Sequence, residues 1–169
     1  MPVVPQTNAS APAPVLQSGN YSISTVRDGT NAQFHLSRPS AEDRSLLPKP
    51  VLVLPKGVTL APWKITRNSD GTYTLENNGA PVVNLEGKLF ALLQNQPNVE
   101  TRWRITSVHW EGQDQFIIES VDRSVGWSLR TTEGASVFSF VQPEVKPLAS
   151  TRSIPPHYQP SARFIIKRV

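Results

Sequence analysis

A five-residue pattern that returns three times constrains this chain more than any other feature. Pro62-Trp63-Lys64-Ile65-Thr66 recurs as Arg102-Trp103-Arg104-Ile105-Thr106, and again as Arg163-Phe164-Ile165-Ile166-Lys167. In each copy a large aromatic and an isoleucine stand two residues apart, the spacing of side chains on one face of a strand. The first two copies are followed by an aromatic-x-aliphatic segment, Tyr73-Thr74-Leu75 and then Phe116-Ile117-Ile118. The third copy lies at the C-terminus, and its follower is Tyr21-Ser22-Ile23 at the N-terminus. A circular order of this kind predicts a closed barrel, in which the first and last strands pair and no edge is left.

The rest of the chain fits that frame. Short apolar runs centre on Tyr21/Ile23, Phe34/Leu36, Val51/Val53, Trp63/Ile65, Tyr73/Leu75, Val82/Val83, Phe90/Leu92, Trp103/Ile105, Phe116/Ile118, Trp127/Leu129, Phe138/Phe140 and Phe164/Ile166. Asp28-Gly29, Asp70-Gly71 and Asn78-Gly79 supply the positive-φ residues of tight hairpins. No segment carries a convincing amphipathic helix. The expectation is an all-β chain: a β-trefoil of twelve strands in three pseudo-symmetric four-strand repeats, with Trp63, Trp103 and Phe164 as equivalent core anchors. With 169 residues, one such domain over 20–169 is expected, preceded by a flexible Pro-rich arm over 1–19.

Composition narrows the function. There is no cysteine, which excludes disulfide staples, thiolate metal sites and a cysteine nucleophile. His35, His109 and His157 lack metal-ligand spacing, no phosphate-binding glycine motif or G-x-S-x-G is present, and neither a cofactor nor a metal is expected. The net charge of +4 is spread along the chain and not clustered, so a nucleic-acid partner is not expected. No run reaches the roughly 20 apolar residues of a membrane-spanning helix. The first residues have neither the basic start nor the apolar stretch of a secretory signal, and a cytoplasmic monomer is expected. These features point to a protein that acts by binding and not by catalysis.

Two connections, Ser37 to Lys49 and Glu144 to Ser161, are much longer than hairpins require, and long loops on a rigid barrel are where binding residues concentrate. The second contains Thr151-Arg152-Ser153-Ile154-Pro155-Pro156. A trypsin-like protease needs a long basic side chain to reach the carboxylate in its specificity pocket, and a preset backbone around the scissile bond. Arg152 offers the first. Ser153 is a small neighbour, and Pro155-Pro156 fix two φ angles, so the loop is expected to be extended before it binds and to lose less entropy on binding. The string resembles the reactive loop of Bowman–Birk trypsin inhibitors; without cysteines here, the barrel has to hold the loop ends. In the first loop Arg38 precedes Pro39, an unfavourable neighbour for such a site, while Arg44-Ser45 is a chemically plausible second candidate.

Over about Gly19 to Val169 the chain also resembles the mushroom β-trefoil serine protease inhibitors, the mycospins of cospin and cnispin type. The likeness rests on Ala41-Glu42-Asp43-Arg44-Ser45-Leu46-Leu47-Pro48-Lys49, on Lys88-Leu89-Phe90-Ala91-Leu92-Leu93, and on Pro155-Pro156-His157-Tyr158. It implies a fungal, intracellular, defensive protein that blocks trypsin-like serine proteases through one exposed loop, either of the two long ones being used within the family. Two alternatives stay open. One is a carbohydrate-binding trefoil lectin, although residues two before Trp63, Trp103 and Trp127 are Ala61, Thr101 and Val125, where ricin-type repeats carry glutamine. The other is a cysteine protease inhibitor of mycocypin type.

Overall fold

The computed structural model describes residues 15–26, 34–55, 57–130 and 140–169. Among them run thirteen strands: β1 (Gly19–Thr25), β2 (His35–Ser37), β3 (Lys49–Pro50), β4 (Leu52–Leu54), β5 (Trp63–Arg67), β6 (Tyr73–Asn77), β7 (Ala80–Leu85), β8 (Lys88–Ala91), β9 (Arg102–Ser107), β10 (Gln115–Glu119), β11 (Gly126–Ser128), β12 (Glu144–Lys146) and β13 (Phe164–Arg168). A single 3-10 turn over Pro160–Ala162 is the only helical element among the described residues.

The circular order in the sequence becomes a closed ring. β1 pairs with β5, β5 with β6, β6 with β9, β9 with β10, β10 with β13, and β13 with β1, all antiparallel. Three shorter pairs, β2–β4, β7–β8 and β11–β12, are joined to this ring through β2 to β1, β7 to β6 and β11 to β10. Every ring strand thus has neighbours on both sides, and none offers a free edge to another chain.

The three recurring aromatics are buried and share one contact. Trp127 is fully buried, with its ring 5.8 Å from that of Trp63, 5.5 Å from Trp103 and 6.0 Å from Phe164. The last two cross it edge-on, the arrangement favoured by aromatic quadrupoles. Trp63 Nε1 donates to Leu36 O at 2.7 Å and Trp103 Nε1 to Val82 O at 2.9 Å, so both indoles are buried with their polar atom satisfied. Where the third copy carries the smaller Phe164, the strand pairing into the ring beside it carries a tryptophan, Trp127, in place of Leu36 or Val82. Ring volume is exchanged between neighbouring positions and the centre stays filled.

Two of the twelve anticipated runs differ in detail. The run at Val51/Val53 is two strands, because the chain changes partner at Val51: β3 pairs with β8, and β4 with β2. Of the run at Phe138/Phe140, Phe138 lies outside the described residues. Phe140 has φ 59 and stands at a turn, a backbone state that interrupts a strand. Among the described residues a strand follows at β12, where buried Val145 pairs with Trp127. Glu144 to Lys146 therefore belong to the sheet and not to the long loop assigned from sequence.

Of the expected arm over 1–19, residues 15–19 are described, and they are fastened to the barrel. Leu16 packs on the core and its carbonyl accepts from Tyr73 Oη at 2.8 Å, while Ser18 Oγ accepts from Arg67 N at 2.8 Å. Gly19 already begins β1.

Because Trp103 is 2% exposed and bonded through its indole, Trp103→Ala is expected to destabilise the fold by about 3–5 kcal/mol in denaturant unfolding. A loss under about 1 kcal/mol would place the ring outside the core.

Candidate functional site

Between β12 and β13 the chain leaves the sheet at Pro147 and returns at Arg163. Leu148 anchors the outgoing limb: it lies against Gly126, where a Cβ would stand 2.7 Å from Leu148 Cδ1 and 2.8 Å from the Ile118 carbonyl. Glycine at 126 is what lets the loop base sit down on β11. Beyond it, Ser150 bridges to Tyr158 across the loop, and Thr151 N donates to His157 O at 3.0 Å. Thr151 to His157 is therefore a small ring closed by hydrogen bonds.

Inside that ring the polar groups form one chain of donors. His157 N donates to Thr151 Oγ1 at 2.9 Å, Thr151 Oγ1 lies 2.6 Å from Ser153 Oγ, and Ser153 Oγ donates to Pro155 O at 2.9 Å. Each hydroxyl has one proton, so the direction is set: Thr151 donates to Ser153, which donates onward. Thr151 and Ser153, on either side of Arg152, are thus tied to each other behind it. The main-chain course bends at residues 152–155 and is not straight throughout as the two prolines suggested, because Ser150 and Tyr158 can pair only if the chain reverses; the Ile154-Pro155 peptide is cis.

The loop is also fastened to the barrel. Trp110 Nε1 donates to Pro156 O at 2.7 Å. The carboxylate of Glu111, 11% exposed, accepts from Tyr158 N at 2.9 Å and meets the His157 ring nitrogen at 2.8 Å. Arg163 Nε stands 3.5 Å from the same carboxylate and donates to Tyr158 O at 3.0 Å. Burial acts to raise the Glu111 carboxyl, but the bonds from His157 and Tyr158 and the Arg163 charge outweigh it and hold the group below its ordinary 4.5. These are the contacts that stand where a disulfide would close such a ring.

Arg152, Ser153, Ile154 and Pro155 are all exposed, and Ile154 is 99% so.

The first long loop is a different object. Arg38 is 7% exposed: its guanidinium forks onto Glu42 at 2.7 and 3.1 Å, and reaches the carbonyls of Asn77 and Asn78 at 3.2 Å. Arg38 is a clamp that holds the loop to β6 and does not project outward, a correction to its place among the candidates. The reason is its neighbour Asn77, fully buried, whose Oδ1 accepts from Arg38 N at 2.8 Å and draws this stretch into the core. Arg44 and Ser45 are exposed. Asp43 takes Lys49 Nζ, Ser45 Oγ and Ser45 N, which hold its carboxyl well below the usual carboxylate range. Asp43 and Ser45, on either side of Arg44, are thus also tied to each other, and the buried Lys49 holds both through Asp43 O at 3.2 Å and Ser45 Oγ at 3.1 Å, so this loop is braced within itself, whereas the Arg152 loop is in addition held by Trp110 and Glu111 from another hairpin.

The fold and the two loops together define a closed-barrel binding protein with a braced, exposed basic loop. Residues 14–168 match the model of the peptidase inhibitor I66 family, and the chain belongs to that family. It is 38% identical over 113 residues to a serine protease inhibitor of Lentinula edodes, covering 66% of this chain and 73% of that one. A proteinase inhibitor from Coprinopsis cinerea is similar in structure, with a TM-score of 0.79 and 33% identity over 91% of this chain and 99% of that chain. A ricin B-like lectin of Macrolepiota procera in complex with lactose shares the fold at a TM-score of 0.60 and 15% identity, over 92% and 99% of the two chains. The chain is a protease inhibitor of this family and not an enzyme.

Thr151 to Pro156 stand out in the sequence as a candidate loop, whereas Trp110, Glu111 and Arg163, which hold that loop to the barrel, do not. The likeness through His157 and Tyr158 touched one side of the latch. Its other side lies 46 residues earlier, and no local signal marks it.

Lowering of the Glu111 carboxyl in the folded state means that its bonds brace the loop fully above its ordinary value and are lost as pH falls through the lowered one. The Glu111 Cδ resonance should therefore titrate with a midpoint below 4.5. A midpoint at or above that value would contradict the latch.

Proposed function

We propose that this protein inhibits trypsin-like serine proteases as a monomer, by presenting Arg152 to the specificity pocket with the Arg152-Ser153 bond across the catalytic serine. The observation that carries the reading is the pairing of an exposed Arg152 with a backbone braced from both sides. A basic side chain reaches the pocket carboxylate, and Ser153 leaves room for the catalytic residues. Ile154 supplies apolar area beyond the scissile bond. Order already present in the free loop lowers the entropy lost on docking. Loops of this kind sit naturally on a β-trefoil, and the reading includes that fold in its full form: the six-strand ring and the three pairs joined to it are twelve strands in three repeats, with β3 as an offshoot.

Arg44-Ser45 is the competing site, since Arg44 is also exposed. The two are separated by substitution. Arg152→Ala removes a central anchor worth roughly 2 kcal/mol or more, so trypsin inhibition should weaken about thirtyfold or beyond. Arg44→Ala should change it little. Arg152→Leu should lose trypsin and shift preference toward a chymotrypsin-like enzyme, whose pocket takes an apolar side chain. The reverse pattern, with Arg44→Ala abolishing inhibition and Arg152→Ala neutral, would move the reactive site to the first loop.

A further inference from the structure

We propose that Trp110 and Glu111, on the turn between β9 and β10, are the positioning residues that make the Arg152 loop an inhibitor instead of a substrate. The proposal rests on the reading of Arg152 as the specificity residue and concerns what happens after the protease has attacked. The protease serine Oγ adds to the Arg152 carbonyl carbon, and the bond to Ser153 N breaks as that nitrogen takes a proton and leaves as an amine. Two fates follow. Water can hydrolyse the acyl-enzyme, or the Ser153 amine can return, re-form the C–N bond, give back its proton and release the serine. The second fate wins when the amine is held beside the acyl carbon, because a tethered nucleophile acts at a high effective concentration.

The structure places the tether on the β9–β10 turn. Once the bond is cut, the limb that begins at Ser153 is attached to the fold only from its far end. There Trp110 Nε1 holds Pro156 O at 2.7 Å, and Glu111 holds Tyr158 N at 2.9 Å and the His157 ring at 2.8 Å. His157 is the junction, since its backbone N and O also bind Thr151 on the other limb. Only Ser153 to Pro155 then stand between the new amine and a fixed carbonyl. The donor chain from Thr151 through Ser153 to Pro155 is internal to the loop and persists only while the limbs stay together. Trp110 and Glu111 belong to neither limb, so they are still in place after cleavage. Both lie outside the buried core around Trp127, which separates their role from that of the fold.

The test incubates the full chain with catalytic trypsin and follows cleavage of Arg152-Ser153 by mass spectrometry, for the parent, Glu111→Ala, Glu111→Gln and Trp110→Phe. The parent should stay largely intact. Glu111→Ala should raise kcat for cleavage roughly tenfold or more, with a smaller change in KM, because the encounter still uses Arg152 while resealing is lost. Glu111→Gln keeps an acceptor for Tyr158 N and should fall in between. If Glu111→Ala fails to fold, Trp110→Phe carries the test, since it removes a single N–H and keeps an aromatic ring. Cleavage of Trp110→Phe and of every folded Glu111 variant as slow as in the parent would overturn the proposal. Arg152→Ala run alongside distinguishes the two levels. If it abolishes inhibition while the turn variants stay intact, the buttress alone falls; if it leaves inhibition unchanged, the reading of Arg152 falls and the buttress with it.

Discussion

Five facing residue pairs join β1 to β13, from Tyr21 opposite Arg168 to Thr25 opposite Phe164, and they close the ring. The closure does more than remove an edge. β13 is the strand to which the Arg152 loop returns, and Arg163, just ahead of it, is the residue that ties Tyr158 O to the loop latch. Phe164 follows at once, wholly buried against Trp127. The downstream end of the loop is therefore one residue from the centre of the aromatic core. Opening the ring at β1–β13 would release that end, and the bracing described for the loop would have nothing rigid behind it.

The same logic explains how the chain manages without cysteines. A disulfide restricts a loop by a covalent link. Here the restriction is shared among the Thr151–His157 backbone bond, the hydroxyl chain behind Arg152, and a carboxylate from another hairpin. Each such bond contributes a modest net amount, about 0.5–1.5 kcal/mol for neutral groups and more where one partner is charged. Glu111 is the charged one, and it and the Arg163 guanidinium are both largely shielded from water, where an ion pair is less screened than at the surface. The first long loop uses charge differently: Arg38 pairs with Glu42 and donates inward to the Asn77 and Asn78 carbonyls, which fastens the start of that loop to the scaffold.

How much of this could be read in advance depends on distance along the chain. The ring order was legible because Trp63, Trp103 and Phe164 repeat with their followers, and periodicity of two is a local property. The convergence of all three on Trp127 was not, since β11 offers only Gly126, Trp127 and Ser128, and nothing local says which rings it meets. The change of partner at Val51 and the strand at β12 were missed for a related reason: pairing partners and left-handed turns such as Phe140 are set by what lies across the sheet. In the proposed reactive loop, Arg152 and its neighbours stood out by residue type and order. The sequence marks Arg38 down only for its proline neighbour; its burial was not legible, because the pull of Asn77 comes from 39 positions away. Glu111 and Trp110 resembled any polar turn.

The most direct measurement is a crystal structure of the protein bound to trypsin. The account predicts the Arg152 guanidinium against the pocket carboxylate, its carbonyl carbon facing the catalytic serine, and Trp110 and Glu111 still bonded to Pro156 and Tyr158. A complex in which Arg44 fills the pocket and the Arg152 loop stands free in solvent would contradict it.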